Sequence, residues 1–354
     1  MTDFLQLHFL TYYPPSNLNR DDLGRPKSAI IGGTTRLRIS SQALKRTWRT
    51  SDVFQTALAG HLAKRTQRIG EVINAHLLGR QVTPDKAAKI AREIIAVFGK
   101  PKGEADKTPL YTEQLAFISD EERDAALALA DRMAGDEKFD AKKQAGDILR
   151  RTDTAADLAM FGRMLADNPD YNREAAVQVA HAATTHKTAI EDDYYTAVDD
   201  LKKPSEDAGA GFLGEAGFGA GVFYLYACID CDLLRKNLGG DEALAAAARA
   251  ALVEAAATVA PGGKQASFAS RARASFILAE RGIAQPRSLG IAFLKPVSEA
   301  EAQGDMMAAS IAALTTARDK IAAAYGKDGA ETIMNVPAGI GSLADILAFC
   351  RELG

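Results

Sequence analysis

The stretch from Thr34 to Thr50 constrains the fold most. TTRLRIS alternates, with Leu37 and Ile39 on one side and Arg36 and Arg38 on the other, which predicts a strand. SSQALKRTWRT follows without a linker and reads as a helix whose start is marked by Ser40 and Ser41. On that helix Gln42, Lys45, Arg46 and Arg49 fall at i, i+3, i+4 and i+7 and share one face. Leu44 and Trp48 share another and can anchor the helix in a core.

The remaining elements extend this pair into an α+β fold. Residues 3–13 alternate and are rich in aromatic and aliphatic types, as a strand should be. PPSNLN, LGRP and IIGG, between residues 14 and 34, carry loop and turn chemistry. From about residue 55 to 190 the pattern is helical and charged, long enough for an inserted subdomain. EDDYYTAVDDLKKPSED then gives way to the glycine-rich GAGFLGEAGFGAG and to the strand signal GVFYLYACIDCDLL. Residues 241–260 read as an alanine-rich helix, 274–282 as another strand, and 299 onward as helical. In order, these elements fit a ferredoxin-like, RRM-like sheet interrupted by insertions.

The chain has 354 residues and a net charge of −3, which hides a strong asymmetry. Residues 20–49 hold eight lysines and arginines (Arg20, Arg25, Lys27, Arg36, Arg38, Lys45, Arg46, Arg49) against Asp21 and Asp22. That segment carries +6, leaving −9 for the rest of the chain. Positive charge gathered in one short stretch is either a solvated basic face or a surface offered to a polyanion. The arrangement favours the polyanion. A capping serine leaves unpaired N–H groups at the helix start, where the dipole also favours an anion. With Asn19, Arg20 and Lys27 in the preceding loop, the basic face makes a track for a sugar–phosphate backbone. No apolar run is long enough to cross a bilayer. The N-terminus does not read as a secretory signal, and three cysteines (Cys228, Cys231, Cys350) fit a reducing cytoplasm.

Two blocks carry a family resemblance: S-x-L-N-R-D-D (Ser16 to Asp22) and G-G-x-x-R-x-R-I-S-S-Q-x-L-K-R (Gly32 to Arg46). They resemble the N-terminus of the CasC family, the backbone subunit of the type I-E CRISPR complex called Cascade. The likeness continues through Gly162 to Met164, His181 to His186, Thr196 to Leu201, Leu213-Gly214, Gly221 to Ala227 and Pro261 to Gln265. It implies an RRM-like palm (residues 1–55 and 222–354), helical fingers (56–190) and a protruding thumb hairpin (191–221). It further implies a non-enzymatic subunit that lines up in several copies along a CRISPR RNA, whose bases pair with target DNA. Other Cascade subunits (CasA, CasB, CasD, CasE) are the implied partners, with no membrane, cofactor or metal. Carried over residue by residue, the palm contacts are Arg20, Lys27, Ser40, Gln42, Lys45 and Arg46, with Arg163 and Met164 from the fingers. Tyr195 and Leu213 stand where the thumb presses bulky groups against a displaced nucleotide, and Lys264 also matches. Tyr195 departs from the phenylalanine found in other members.

Competing motifs are weaker. GAGFLG (Gly209 to Gly214) matches G-x-G-x-x-G, but it lies before a strand instead of between a strand and a helix. Cys228 and Cys231 have metal-ligand spacing without a second pair, and His181 and His186 are five apart, so both sets read as structural. Asp192, Asp193, Asp199 and Asp200 are the residues on which a metal-dependent endoribonuclease would rest. Adjacent pairs on an extended chain point in opposite directions, a poor platform for two metals, and they read as flanking the thumb.

Overall fold

Buried on both faces along nearly its whole length, the first strand, β1 (Phe4–Ser16), lies inside a sheet. Its polar residues Gln6 and His8 are therefore interior as well as Leu5, Leu7 and Phe9. In this computed structural model the described residues are 2–141, 143–197 and 212–352. After β1 come β2 (Ser28–Ile31), β3 (Thr34–Ile39), α1 (Ser41–Arg49), β4 (Ala182–Thr184), β5 (Glu191–Ala197) and β6 (Phe212–Asp230). Then follow α2 (Glu242–Thr258), β7 (Phe276–Gly282), α3 (Met306–Tyr325), β8 (Ala330–Asn335) and α4 (Leu343–Arg351). The sheet runs β8-β7-β1-β6-β4-β3-β2, and β5 pairs with β6 off this path. The chain is thus a mixed α/β protein with an extensive antiparallel sheet.

Two of these strands escape the sequence pattern. β2 lies in what reads as loop, yet it pairs antiparallel with β3. Gly32 and Gly33, with φ of +57° and +75°, make the two-residue turn that joins them. β8 falls in a region read as helical and pairs antiparallel with β7. β7 is long and apolar enough to need a neighbour on that side, and AETIMN supplies it.

The chain divides into two compact units. One comprises Met1–Phe54, Val179–Cys228 and Arg249–Gly354, and the other Gln55–Gln178 with Ile229–Ala248. The helical insertion therefore ends at Gln178 instead of residue 190. Residues beyond it are bonded into the sheet of the first unit, where Thr185 N–H donates to Val222 O and Thr188 N–H to Thr35 O. In the first unit one core gathers Leu10, Val222, Tyr224, Phe276, Leu278 and Leu314.

The second unit packs the helices Ile69–Gly79, Pro84–Ile95 and Asp120–Ala134 on a core that includes Ile73, Leu77, Ile94 and Leu129. The last of these helices starts with a capping box between Ser119 and Glu122. Glu122 is fully buried and meets Arg163, equally buried, at 2.5 Å. The same guanidinium donates to the carbonyls of Phe117, Arg150 and Tyr171. Beside it Arg173 pairs with buried Asp153 at 2.8 Å. Arg163, expected as an RNA contact, is thus an interior tie, because its side chain neutralises a carboxylate that is fully buried. Gly162 serves the same corner: its φ is +75°, and a Cβ there would lie 2.8 Å from Arg173 O. Of this motif only Met164, 83% exposed, faces solvent. Arg163→Ala should cost about 3–5 kcal/mol by stranding the Glu122 charge. Met164→Ala should change stability by no more than about 0.5 kcal/mol. Urea denaturation of the two variants checks this, and equal stability would remove the structural role given to Arg163.

Candidate nucleic-acid interface

The loop between β1 and β2 is fastened at three points before any ligand is considered. Asn17 is buried, and its Nδ2 donates to Gly24 O and to Gly217 O, each at 2.9 Å. Asn19 accepts the Lys27 N–H on its backbone oxygen at 2.8 Å and the Ser40 N–H on its side-chain oxygen at 2.9 Å. Gly263 presses on the same loop, since a Cβ there would lie 2.4 Å from Asn17 O. That contact brings the turn bearing Lys264 alongside, with Lys264 itself left-handed at φ +47°. Arg20 is exposed and bridges to Pro26 across the loop. Asn19 is therefore a positioning residue whose side-chain oxygen is already engaged.

Ser40 is the N-cap of α1: its hydroxyl accepts the Ala43 N–H at 3.3 Å, and the residue is buried. Any anion at this end meets the helix start and not a free serine hydroxyl. Leu44 and Trp48 are buried at 3% and 1% exposure, which fixes the rotation of the helix. Gln42 and Arg46 are then exposed, and Lys45 and Arg49 half-buried. Burial pulls the Lys45 ammonium below its ordinary range. The sequence-expected palm cations are thus gathered on one helix and one loop.

Arg36 is the exception within the basic segment. Its guanidinium is buried and donates to Thr184 O at 2.7 Å, Phe293 O at 3.0 Å and Thr34 Oγ1 at 2.9 Å. It ties β3 to its surroundings and presents no charge to solvent. Arg38, on the same side of the strand, emerges, and its Nη1 lies 2.7 Å from His181 Nδ1. The sequence reads that histidine as structural, and only the β3–β4 register, with Arg38 across from Ala183, brings it to the basic segment. His186 instead accepts the Val222 N–H at 3.2 Å.

β5 and β6 form an antiparallel ladder from Glu191↔Phe218 to Ala197↔Phe212. Every residue of β5 is exposed, as befits a hairpin that leaves the sheet. Tyr195 pairs with Gly214, where a Cβ would lie 2.3 Å from the tyrosine ring, so the glycine lets the ring lie across the partner strand. Tyr194 is exposed too. Leu213 lies across from Thr196 in the ladder. Asp199, Asp200 and the start of GAGFLG lie outside the described residues. Asp192 accepts from Arg25 at 2.8 Å, which links the hairpin to the 17–27 loop. Among the described residues no three His, Cys, Asp or Glu side chains converge as a metal-ligand set. Cys228, Cys231 and Cys350 are buried, and none forms a disulfide among the described residues. A cavity of about 950 Å³, lined by Gln6, Glu280, Arg287 and Tyr325 among others, lies apart from the basic helix. Glu280 and Arg287 there neutralise each other at 2.7 Å.

A family profile described as CT1975-like protein matches residues 5–342. The chain belongs to the CT1975-like family. Among solved structures, this CT1975-like chain is similar to one from a "CRISPR RNA-guided surveillance complex, pre-nicking", at 28% identity and a TM-score of 0.85. The match covers 98% of this chain and 99% of the other. A chain of another "CRISPR RNA-guided surveillance complex" matches at 25% identity and a TM-score of 0.75, over 98% and 99% of the two chains. A search of curated proteins returns no match. Among the described residues no helix is long and apolar enough to cross a membrane.

For this CT1975-like chain, the tie between loop and helix gives a direct test. Asn19→Ala should cost about 1–2 kcal/mol, because the Ser40 N–H loses its acceptor. Asn19→Asp, which keeps an acceptor oxygen, should recover most of that. Urea midpoints measure both, and an unchanged midpoint for Asn19→Ala would show the tie to be dispensable.

Proposed function

We propose that this chain is the guide-RNA-binding backbone subunit of a type I-E Cascade, a CasC-type protein. Copies of it line up along the spacer of a CRISPR RNA, and the RNA bases are left to pair with target DNA. One observation carries the reading. The cations of α1 and of the 17–27 loop lie on neighbouring elements, beside an exposed hairpin, in a fold that matches a surveillance-complex chain from end to end. The sheet order supports an RRM-like palm. β1, α1, β4, β6, α2 and β7 follow one another in the chain, and their strands lie in the order β7-β1-β6-β4. In this reading the second unit is the fingers and the β5–β6 hairpin is the thumb.

The roles follow from chemistry. Arg20, Lys27, Lys45, Arg46, Arg49 and Lys264 hold phosphates by charge, and Gln42 adds an uncharged donor and acceptor beside them. The start of α1 offers N–H groups to an anion. Tyr195 and Leu213 supply the bulky groups that unstack a base, with Met164 an exposed apolar contact on the fingers. The protein performs no chemistry of its own in this proposal. Asp192 and its neighbours orient the hairpin, and a separate nuclease destroys the target. CasA, CasB, CasD and CasE, further copies of this chain and the RNA–DNA hybrid are its partners, in the cytoplasm.

Binding of a guide-length RNA measured against salt tests both the contact surface and the absence of cleavage. Lys45→Ala with Arg46→Ala should weaken binding for every sequence alike. Each lost phosphate contact should flatten the log–log salt dependence by roughly 0.7. RNA recovered from the same mixtures with Mg²⁺ or Mn²⁺ should be intact. An unchanged salt slope would move the binding face elsewhere. Metal-dependent cutting that Asp192→Ala abolishes while binding persists would favour a nuclease.

A further inference from the structure

The Arg38–His181 contact is unusual in what it joins. A guanidinium has donors only, so His181 Nδ1 must accept, and the imidazole is neutral with its proton on Nε2. Arg38 is also tied to Lys27, because its N–H donates to Lys27 O at 2.8 Å. The charged groups facing the ring are Arg38 from β3 and Lys27 from the 17–27 loop, and both disfavour a protonated imidazole. The hydration that the ring loses to its neighbours disfavours it further and is the larger cause, so His181 titrates below its ordinary range. Among the described residues neither Lys27 nor Arg38 is paired with a carboxylate, and His181 is exposed. Three basic groups thus share one surface corner with nothing anionic between them. Arg25, by contrast, is matched by Asp192.

We propose that Lys27, Arg38 and His181 form one phosphate-binding site on the guide strand, and that His181 takes up a proton from solvent as the phosphate binds. The proposal rests on the guide-RNA reading and adds Arg38 and His181 to it. An incoming phosphodiester carries the charge that the corner lacks. The Nδ1 lone pair that accepted from Arg38 receives the proton, the Nδ1–H bond forms, and the imidazolium becomes a donor. Arg38 is released to bond a phosphate oxygen. Two donors replace one internal hydrogen bond, and no third reactant is needed.

The sign of the pH effect follows from linkage. The histidine pKa is low in the free protein and rises beside a phosphate, so the bound state holds more protons. Affinity therefore rises as pH falls through the window between the two values and levels off below it. One proton changes affinity by at most about tenfold per pH unit.

The test uses the full chain and a fluorescent guide-length single-stranded RNA at fixed ionic strength, titrated from about pH 5.5 to 8.5. Binding by the wild-type chain should tighten about three- to tenfold as pH falls across that range. His181→Gln should lose the tightening, its affinity changing little between high and low pH. His181→Lys, permanently charged, should bind tightly with little pH dependence, a result that a merely structural histidine would not give. Arg38→Gln should weaken binding at every pH. Melting temperatures within a few degrees of wild type confirm that the variants are folded. If His181→Gln keeps the wild-type pH profile while Lys45→Ala with Arg46→Ala loses binding, this site is wrong and the guide-RNA reading stands. If the wild-type chain binds no RNA at any pH in low salt, the guide-RNA reading itself fails.

Discussion

Burial of Leu44 and Trp48 is the interaction on which the rest of the proposed interface depends. α1 has nine residues, too few for a stable isolated helix, and Lys45 and Arg49 repel each other at i,i+4. Tertiary anchoring must overcome both. Each large apolar side chain taken from water contributes about 1.5–3 kcal/mol, and the Ser40 cap about 1 kcal/mol more. The same anchoring sets the rotation of the helix, so the exposed face is the one carrying Gln42 and Arg46. Asn19 then fixes the loop to the helix start, and Asn17 fixes that loop to the root of the hairpin. Each step positions the next cation from a buried contact, not from the cations themselves.

The fate of each arginine is decided by what faces it. Arg163 and Arg173 meet buried carboxylates, and Arg36 meets carbonyl oxygens, so all three are part of the interior. Arg25 is matched on the surface by Asp192, an exposed pair of the kind that adds little stability and serves better to orient. Arg20, Arg38 and Arg46 have no carboxylate opposite them among the described residues. A segment that counts as +6 in sequence therefore presents less charge than it contains, concentrated on one helix face, one loop and one strand end.

Much of this was legible in the chain. The strand-to-helix step at Ser40, the two faces of α1, the alanine-rich helix and the β7 strand follow from periodicity and capping alone. β2 and β8 did not, because short edge strands draw their stability from a neighbour the pattern does not name. Arg36 and Arg163 were misread for a related reason. An arginine on a strand or after a glycine looks exposed until its buried partner, 122 or 184, comes into view from far along the sequence. His181 shows the converse: a histidine with no metal spacing became part of the basic corner only through strand register.

The central claim is that nucleic acid lies along the 17–49 segment and the β5–β6 hairpin. Ultraviolet cross-linking of the chain to a guide-length RNA, followed by mass spectrometry of the attached peptides, tests it most directly. The account predicts attachment within residues 17–49 and 191–217, with Tyr194 and Tyr195 among the sites. Attachment confined to the Ile69–Gly79, Pro84–Ile95 and Asp120–Ala134 helices, or to the cavity beside Gln6 and Arg287, would contradict it.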